Sequence, residues 1–154
     1  MNVMAQYNYV PVQLVQPGAS ALLDDNICCN RGYVLHRPGS GILTLRGMVN
    51  NPCARFARYR VAYSGNIAVP AEGTAGEIQL AIAIGGEIDQ SSIGTATPTV
   101  VDSYWNVSNF AIVDVPTGCC YTVAVENASE GATPTAVAPA LNLRNLNVEV
   151  TRLA

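Results

Sequence analysis

Short runs in which apolar and polar residues alternate recur along the chain and constrain its fold more than any other feature. The clearest run spans residues 78–84 and places four large aliphatic side chains on one face: Ile78, Leu80, Ile82 and Ile84. Similar runs cover residues 10–14, 110–114, 121–126 and 146–151. Alternation with a period of two predicts β-strands that bury one face. No window of ten residues carries a helical stripe, so we predict an all-β chain.

Turn-forming residues separate these runs. Examples are Pro17-Gly18, Pro38-Gly39, Gly85-Gly86 and Glu130-Gly131. Several short strands between regularly spaced turns predict an antiparallel β-sandwich of the jelly-roll type. A length of 154 residues suits one domain, and we assign residues 1–154 to it. Within it, residues 1–16 form either a first strand or an N-terminal docking arm, in which Tyr7, Tyr9 and Val10 would reach a neighbour.

The composition favours burial against other protein. Charged residues make up 12% of the chain and apolar residues 49%, which excludes a disordered chain. All eight basic residues are arginine, the cation best suited to interfaces, although a compositional bias of the genome explains this equally well. The net charge of −3 argues against a nucleic-acid partner. No segment is typical of a signal peptide or a membrane span.

Charge is distributed unevenly along the chain. Residues 1–60 contain six arginines and two acids, whereas residues 61–154 contain two arginines and nine acids. Such a division suits packing of one copy against a neighbour in an assembly. The alternative is that folding mixes the two halves, so that the division disappears in space.

The residues needed for catalysis are missing from the sequence. His36 is the sole histidine, and we expect it to be a structural hydrogen-bonding residue at a strand end. The five cysteines, Cys28, Cys29, Cys53, Cys119 and Cys120, lack the spacing of a zinc site. We expect them to be small core residues in a reducing compartment; disulfides between the doublets or between chains are the alternative. The sequence therefore predicts no enzyme, cofactor, metal or small-molecule substrate.

One segment combines arginine with aromatic residues, the usual composition of protein-binding anchors. On a strand, Phe56, Arg58 and Arg60 share one face, and Tyr59 and Tyr63 share the other. We take this segment as a candidate protein-contact site; ordinary sandwich surface and nucleic-acid binding are the alternatives. Its residues are Arg55, Phe56, Arg58, Tyr59, Arg60 and Tyr63.

Three segments of the sequence resemble the tumour-necrosis-factor-like (TNF-like) jelly rolls of bacteria and their phages. They are YRVAYSGNI at residues 59–67, GEIQLAIAIGGEI at residues 76–88 and LNVEVTRL at residues 146–153. Residues 30–47 are similar to small proteins of Firmicutes phages and prophages. The resemblance covers most of residues 30–154 and implies a homotrimer of sandwiches packed through apolar and aromatic faces.

The resemblance also implies a role. Without a collagen-like stalk before the domain, the expected function is that of a virion structural protein, either a capsid decoration protein or a head fibre of a tailed phage. Its partners would be itself and the major capsid protein, without nucleic acid or membrane. Its location would be the capsid exterior after synthesis in the host cytoplasm. The alternative is a trimeric bacterial surface or spore-coat module that binds a glycan or protein receptor, with Tyr104 and Trp105 beside Asn106 stacking on sugars.

Overall fold

The alternating runs of the sequence become strands in the computed structural model, which describes residues 3–27, 33–48, 53, 55–131 and 133–153. Within these residues the regular structure is almost entirely β-strand, with one 3₁₀ turn at Gln90–Ser92. The strands in chain order are β1 (Val3–Tyr9), β2 (Gln13–Val15), β3 (Asp25–Ile27), β4 (Val34–His36), β5 (Leu43–Arg46), β6 (Phe56–Ala68), β7 (Ile78–Ile84), β8 (Glu87–Ile88), β9 (Gly94–Ala96), β10 (Trp105–Pro116), β11 (Cys120–Asn127) and β12 (Leu141–Arg152).

Two antiparallel sheets form the sandwich. Sheet 1 has the strand order β10-β6-β12-β1-β3, with β2 paired to one end of β12. Sheet 2 has the order β4-β5-β11-β7-β8, with β9 paired to β7. Neighbouring strands in each sheet are mostly distant in sequence, as a jelly roll requires. The predicted all-β, antiparallel sandwich is confirmed. That the full length forms one domain stays a prediction.

The core lies between the sheets and combines aliphatic side chains with three tyrosines. Tyr7, Tyr59 and Tyr63 are each at most 2% exposed. The hydroxyl of Tyr59 donates to the carbonyl of Arg46, and that of Tyr63 contacts the carbonyls of Leu80 and Ser92 at 2.8 and 2.7 Å. These bonds satisfy the hydroxyls of Tyr59 and Tyr63, which permits the burial of both rings.

In two of the alternating runs, the structure confirms which side chains point into the core. Ile78, Leu80 and Ile82 are fully buried between the sheets. Leu146, Val148 and Val150 are buried as well, and Asn147 between them is exposed. In both runs the larger apolar face meets the opposite sheet, as the hydrophobic effect favours.

The facing of residues 10–15 differs from the expected one. Val10, Val12 and Leu14 are 52–59% exposed, whereas Gln13 is buried. The amide of Gln13 donates to the carbonyl of Leu22 at 3.1 Å and accepts from its backbone N–H at 2.8 Å. These two bonds join the Gln13 side chain to the backbone of Leu22, as a neighbouring strand would do with its own backbone. The side chain of Gln13 therefore points inward, and those of Val12 and Leu14 point outward.

The opposite face of β7 carries the small residues Ala81 and Ala83. A sheet face of small apolar residues has to be covered by another layer or by another chain. They are already buried within this single chain, at 0% and 1% exposure. In sheet 2 they pair with Glu126 and Ala124, and Ala83 also pairs with Ile88. This face of β7 therefore requires no partner chain to cover these two residues.

A bulge in β12 allows two leucines of odd spacing to enter the core. Leu143 and Leu146 are both fully buried, although their positions are three apart in the sequence. The pairing register of β12 with β6 shifts between Arg144 and Asn147 to permit this. Asn145 adopts a left-handed backbone with φ of 54° at the bulge, a conformation that asparagine tolerates better than most residues.

Candidate protein-interaction site

The side chains that point away from the core of sheet 1 form one continuous surface, which we call the outer face. The register of β10 on β6 pairs Asp114 with Arg58, Ile112 with Arg60 and Phe110 with Ala62. On the other side of β6, Thr151 of β12 lies opposite Arg60, and Met4 of β1 lies opposite Thr151. The row that begins with Ile112 and Arg60 therefore continues to Met4. The outer face thus crosses four strands, and its composition changes along the strand direction.

One half of the outer face is apolar. Phe110 and Ile112 occupy successive outward positions of β10 and are 47% and 45% exposed. Phe56 at the start of β6 is 39% exposed, and Met4 on β1 is 51% exposed. Scattered apolar residues are normal on a protein surface, but this group is concentrated within one half of one sheet.

Arginines cover the rings of this apolar half. The guanidinium of Arg60 lies 4.8 Å from the ring centroid of Phe110, and that of Arg58 lies 4.9 Å from Phe56. Arg58 also donates to both carboxylate oxygens of Asp114, at 2.7 and 3.0 Å. This bond lowers the pKa of Asp114 and raises the pKa of Arg58. Each guanidinium group therefore lies over an aromatic ring, and arginine with aromatic residues is the composition typical of binding anchors.

The other half of the outer face carries amides and hydroxyls. Asn106 donates to the side-chain oxygens of Asn66 and Ser64 at 3.1 and 3.3 Å. Gln6 donates to Asn147 at 2.9 Å. These side chains satisfy one another along the sheet and need no partner to do so. The need for a partner is therefore greatest at the apolar half.

The structure divides the predicted contact residues. Phe56, Arg58 and Arg60 lie on the outer face, and Arg55 is exposed immediately before β6. Tyr59 and Tyr63 were wrong as contact residues, because the inward alternation of β6 buries both in the core and leaves them no accessible surface. That the remaining four contact another protein stays a prediction.

Sequence reasoning missed Phe110, Ile112 and Met4. Residues 110–115 carry apolar side chains on both strand faces, since Ala111, Val113 and Val115 are buried behind the exposed pair. A strand that is apolar on both faces indicates that its outer side is also to be covered. The apolar residues on both faces of β10 were the signal in the sequence. It can be recognised only after the inner face of β10 has been assigned.

The predicted docking arm is a strand of the chain's own sheet. β1 pairs with β12 along all seven residues and with β3 over three. Tyr7 was wrong as an arm residue because its ring lies in the core, at an edge-to-face contact of 4.8 Å with His36. Tyr9 is half-buried against the core, and Val10 is exposed after the strand ends. Of the two alternatives for this segment, the structure has a first strand at Val3–Tyr9.

The aromatic residues considered for sugar stacking lie at one end of β10. Arg144 covers one side of the Tyr104 ring at 3.8 Å from its centroid. The amide of Asn106 is engaged within the sheet, as described above. Trp105 is 51% exposed, and its indole N–H donates to Ser103 Oγ at 3.3 Å. Trp105 thus offers the more open of the two rings.

The histidine and the described cysteines occupy different environments in the fold. His36 Nε2 donates to the carbonyl of Ser40 at 2.8 Å, as expected for a structural residue. Cys53, Cys119 and Cys120 are exposed, so the expectation of core thiols is wrong for these three, and Cys28 and Cys29 lie outside the described residues. The same part of the chain contains no cluster of metal-ligating side chains, and it has no helix long and apolar enough to cross a membrane.

Comparison with known proteins identifies the fold. No protein-family model and no curated protein matches the sequence. The structure is similar to the crystal structure of murine APRIL at pH 5.0, with a TM-score of 0.61 and 9% identity over 99% of this chain and 100% of that one. It is also similar to Eiger TNF from S. frugiperda, with a TM-score of 0.62 and 11% identity over 99% and 93% of the two chains. A third similar structure is the globular domain of zebrafish complement 1qA, with a TM-score of 0.57 and 11% identity over 98% of this chain and 95% of that one.

These similarities extend over nearly the whole of each chain. The fold of this protein is therefore a TNF-like jelly roll, as the sequence resemblance predicted. At identities near 10% the similarity defines the fold and leaves the function to be argued from the residues.

Proposed function

We propose that the protein is a homotrimeric structural module whose copies pack through the apolar half of the outer face. The observation that carries this proposal is the group of Phe56, Phe110, Ile112 and Met4, exposed on one sheet and lined by stacked arginines. Burial of such a group against a neighbour removes apolar surface from water. The TNF-like fold, for which the sequence resemblance implies a trimer, supports three copies rather than two.

Light scattering coupled to size-exclusion chromatography tests the assembly. The wild type is expected at about three times the chain mass of 16.2 kDa. Phe110→Asp places a charge in the proposed interface, where it has no partner, and is expected at the mass of one chain. Leu35→Asp is the matched control, since Leu35 on β4 of sheet 2 is 48% exposed, close to the 47% of Phe110, and it should leave the trimer intact. A wild-type monomer at micromolar concentration would contradict the proposal.

We further propose that this trimer is a capsid decoration or head-fibre protein on the exterior of a tailed phage. The support is the resemblance of the sequence to TNF-like proteins of phages, together with a site of binding rather than catalytic character. Threefold symmetry would turn one weak contact with the major capsid protein into a multivalent one, which stabilises a shell without new chemistry.

Fractionation of particles tests this role. Phage particles induced from the organism that encodes the chain are banded in a density gradient and analysed by mass spectrometry. The chain is expected in the particle band in near-stoichiometric amounts with the major capsid protein. Its presence solely among unassembled proteins at the top of the gradient would refute the virion role and leave the trimer unaffected.

A second candidate is a surface module that binds a glycan, and the open ring of Trp105 favours it. Aromatic rings stack on sugar faces, and Trp105 is half-exposed beside polar groups of the outer face. A glycan array is expected to show binding that Trp105→Ala removes and Tyr121→Ala, at another exposed aromatic, leaves unchanged. An array without binding would eliminate this candidate.

A further inference from the structure

Folding mixes part of the charge, as the Arg58–Asp114 pair and the position of Arg144 against Tyr104 show, but it also gathers two groups of like charge at opposite ends of the sandwich. The segment of residues 46–60 contains four arginines and no acid. The loops of residues 70–77, 97–104 and 128–140 contain four acids and no arginine. The strand register determines where each group lies in the molecule.

The first group forms a basic end. The backbone N–H of Thr117 donates to the carbonyl of Arg55 at 3.0 Å, and that of Gly47 donates to Cys119 at 2.9 Å, so the segments on both sides of residues 49–54 meet the turn between β10 and β11. The N–H of Leu153 donates to Arg58 at 2.7 Å, which brings the end of β12 to the same place. This end carries Arg46, Arg55, Arg58, Arg60 and Arg152, with Asp114 as the acid that pairs with Arg58.

The second group forms an acidic end at the other limit of β6. Here an open groove of about 740 Å³ lies between the loop that follows β6 and the loop that precedes β12. Three glutamates line it, Glu72, Glu77 and Glu130, and its described lining contains no arginine. Leu14, Val137 and Pro139 supply apolar surface between the carboxylates.

The two ends cannot neutralise each other within one copy. β6 connects them through 13 residues, which corresponds to about 40 Å at roughly 3.3 Å per residue. At physiological ionic strength, charge is screened over about 8 Å, so each end presents its own field to the solvent. A basic surface on one copy is therefore complementary to an acidic groove on another.

We propose that the basic end of one copy docks into the acidic groove of a second copy, head to tail. Arg46 and Arg55 are exposed, and their planar guanidinium groups match glutamate carboxylates in bidentate geometry. The apolar part of the groove accommodates the aliphatic stems of these side chains. The contact joins two different surfaces, so it continues from copy to copy and builds chains instead of closed pairs. It uses neither Phe110 nor Ile112 and thus goes beyond the proposed trimer.

Sedimentation velocity at low and high salt tests the contact. At 20 mM NaCl the wild type is expected to form species at multiples of its basal mass, and these disappear at 500 mM NaCl. Arg46→Glu/Arg55→Glu removes the net positive charge of the basic end, and Glu72→Arg/Glu77→Arg gives the groove a net positive charge. Each variant alone is expected to remain at the basal mass at low salt, and an equimolar mixture of the two is expected to associate again.

Matched variants separate this contact from a general effect of charge. Asp24→Arg/Glu87→Arg changes the net charge as much as Glu72→Arg/Glu77→Arg does, at exposed residues outside the groove, and should associate like the wild type. Wild type that stays at its basal mass at 20 mM NaCl, or a mixture of folded variants that fails to associate, would overturn the proposal. The basal mass itself reports on the trimer, so the two proposals fail independently.

Discussion

Tyr63 shows how one buried side chain connects the two sheets. It projects inward from β6 in sheet 1, and its hydroxyl reaches the carbonyls of Leu80 in sheet 2 and Ser92 in the 3₁₀ turn. Burial raises the pKa of Tyr63 strongly, so the hydroxyl keeps its proton as a donor. A Cβ at Gly94 would lie 2.9 Å from this oxygen, so a residue without a side chain suits the position.

Tyr63→Phe is therefore expected to destabilise the protein by about 1–3 kcal/mol, because buried carbonyls lose their donor while the packing of the ring is retained. Urea denaturation at constant protein concentration measures the difference. Tyr121→Phe, at a tyrosine that is 38% exposed, is the control and should change stability by less than about 0.5 kcal/mol. Equal effects of the two substitutions would contradict this role of Tyr63.

Glu126 is a carboxylate whose surroundings favour its neutral form. Burial raises its pKa, and a hydrogen bond with Ser20 offsets part of this effect. Because the folded state binds the proton more tightly than the unfolded state, stability falls as pH rises through the raised pKa, and the loss persists at neutral pH.

Glu126→Gln is expected to raise the melting temperature slightly at pH 7, where it removes a charge that is partly desolvated. Below about pH 4 the carboxyl of the wild type is protonated in both states, and the two proteins should melt at the same temperature. Melting curves between pH 3 and 8 test this. A variant that is less stable than the wild type at pH 7 would show that the hydrogen bond with Ser20 outweighs desolvation.

At the scale of elements, the bulge of β12 determines which residues of the strand enter the core. Without it, strict alternation from Leu143 would place Leu146 on the outer face, where Asn147 now lies. Asn145 makes the bulge possible through its left-handed backbone, and its side-chain oxygen accepts from Asn66 at 3.3 Å.

Asn145→Val is expected to cost about 1–2 kcal/mol, because a β-branched residue tolerates a positive φ poorly. Asn145→Gly accepts the same backbone and is the matched control, expected near wild-type stability apart from the lost hydrogen bond. Chemical denaturation of both variants measures the difference. If the glycine variant is as unstable as the valine variant, the hydrogen bond and not the backbone is decisive.

A second feature at this scale is the outer edge of β10, which pairs with β6 on one side alone within its sheet. Asn109 partly occupies that edge: its amide nitrogen donates to the carbonyl of Ile93 at 3.2 Å, and its oxygen accepts from the N–H of Phe110 at 2.9 Å. A side chain that satisfies edge groups discourages pairing with a foreign strand. This favours side-chain packing of the outer face over strand addition as the mode of assembly.

For the whole molecule, assembly and stability are linked. If three folded chains associate and unfolded chains do not, mass action stabilises the folded state as concentration rises. Between 1 and 100 µM, the melting temperature of the wild type is expected to rise by roughly 4–7 °C. That of Phe110→Asp should stay constant, and calorimetry or fluorescence at both concentrations measures it. A wild-type melting temperature that is independent of concentration would contradict self-association.

Part of the interaction site was accessible from the sequence. Alternation placed Phe56, Arg58 and Arg60 on one strand face, and the structure has them there. Alternation did not show that the opposite face of β6, which carries Tyr59 and Tyr63, is the buried one. Phe110 and Ile112 were missed because β10 is apolar on both sides, and the pattern alone does not say which side meets the core.

The sequence by itself determined the strands and the antiparallel sandwich, because local alternation and turn chemistry depend on nearby residues. Tertiary structure alone decided the inward turn of Gln13, whose hydrogen-bonding partner is the backbone of Leu22, nine residues away. It also decided the two charged ends, since strand register brings Arg152 to the same end as Arg55 and Glu130 into the groove with Glu72. Pairing between distant strands sets these positions, and no local pattern encodes it.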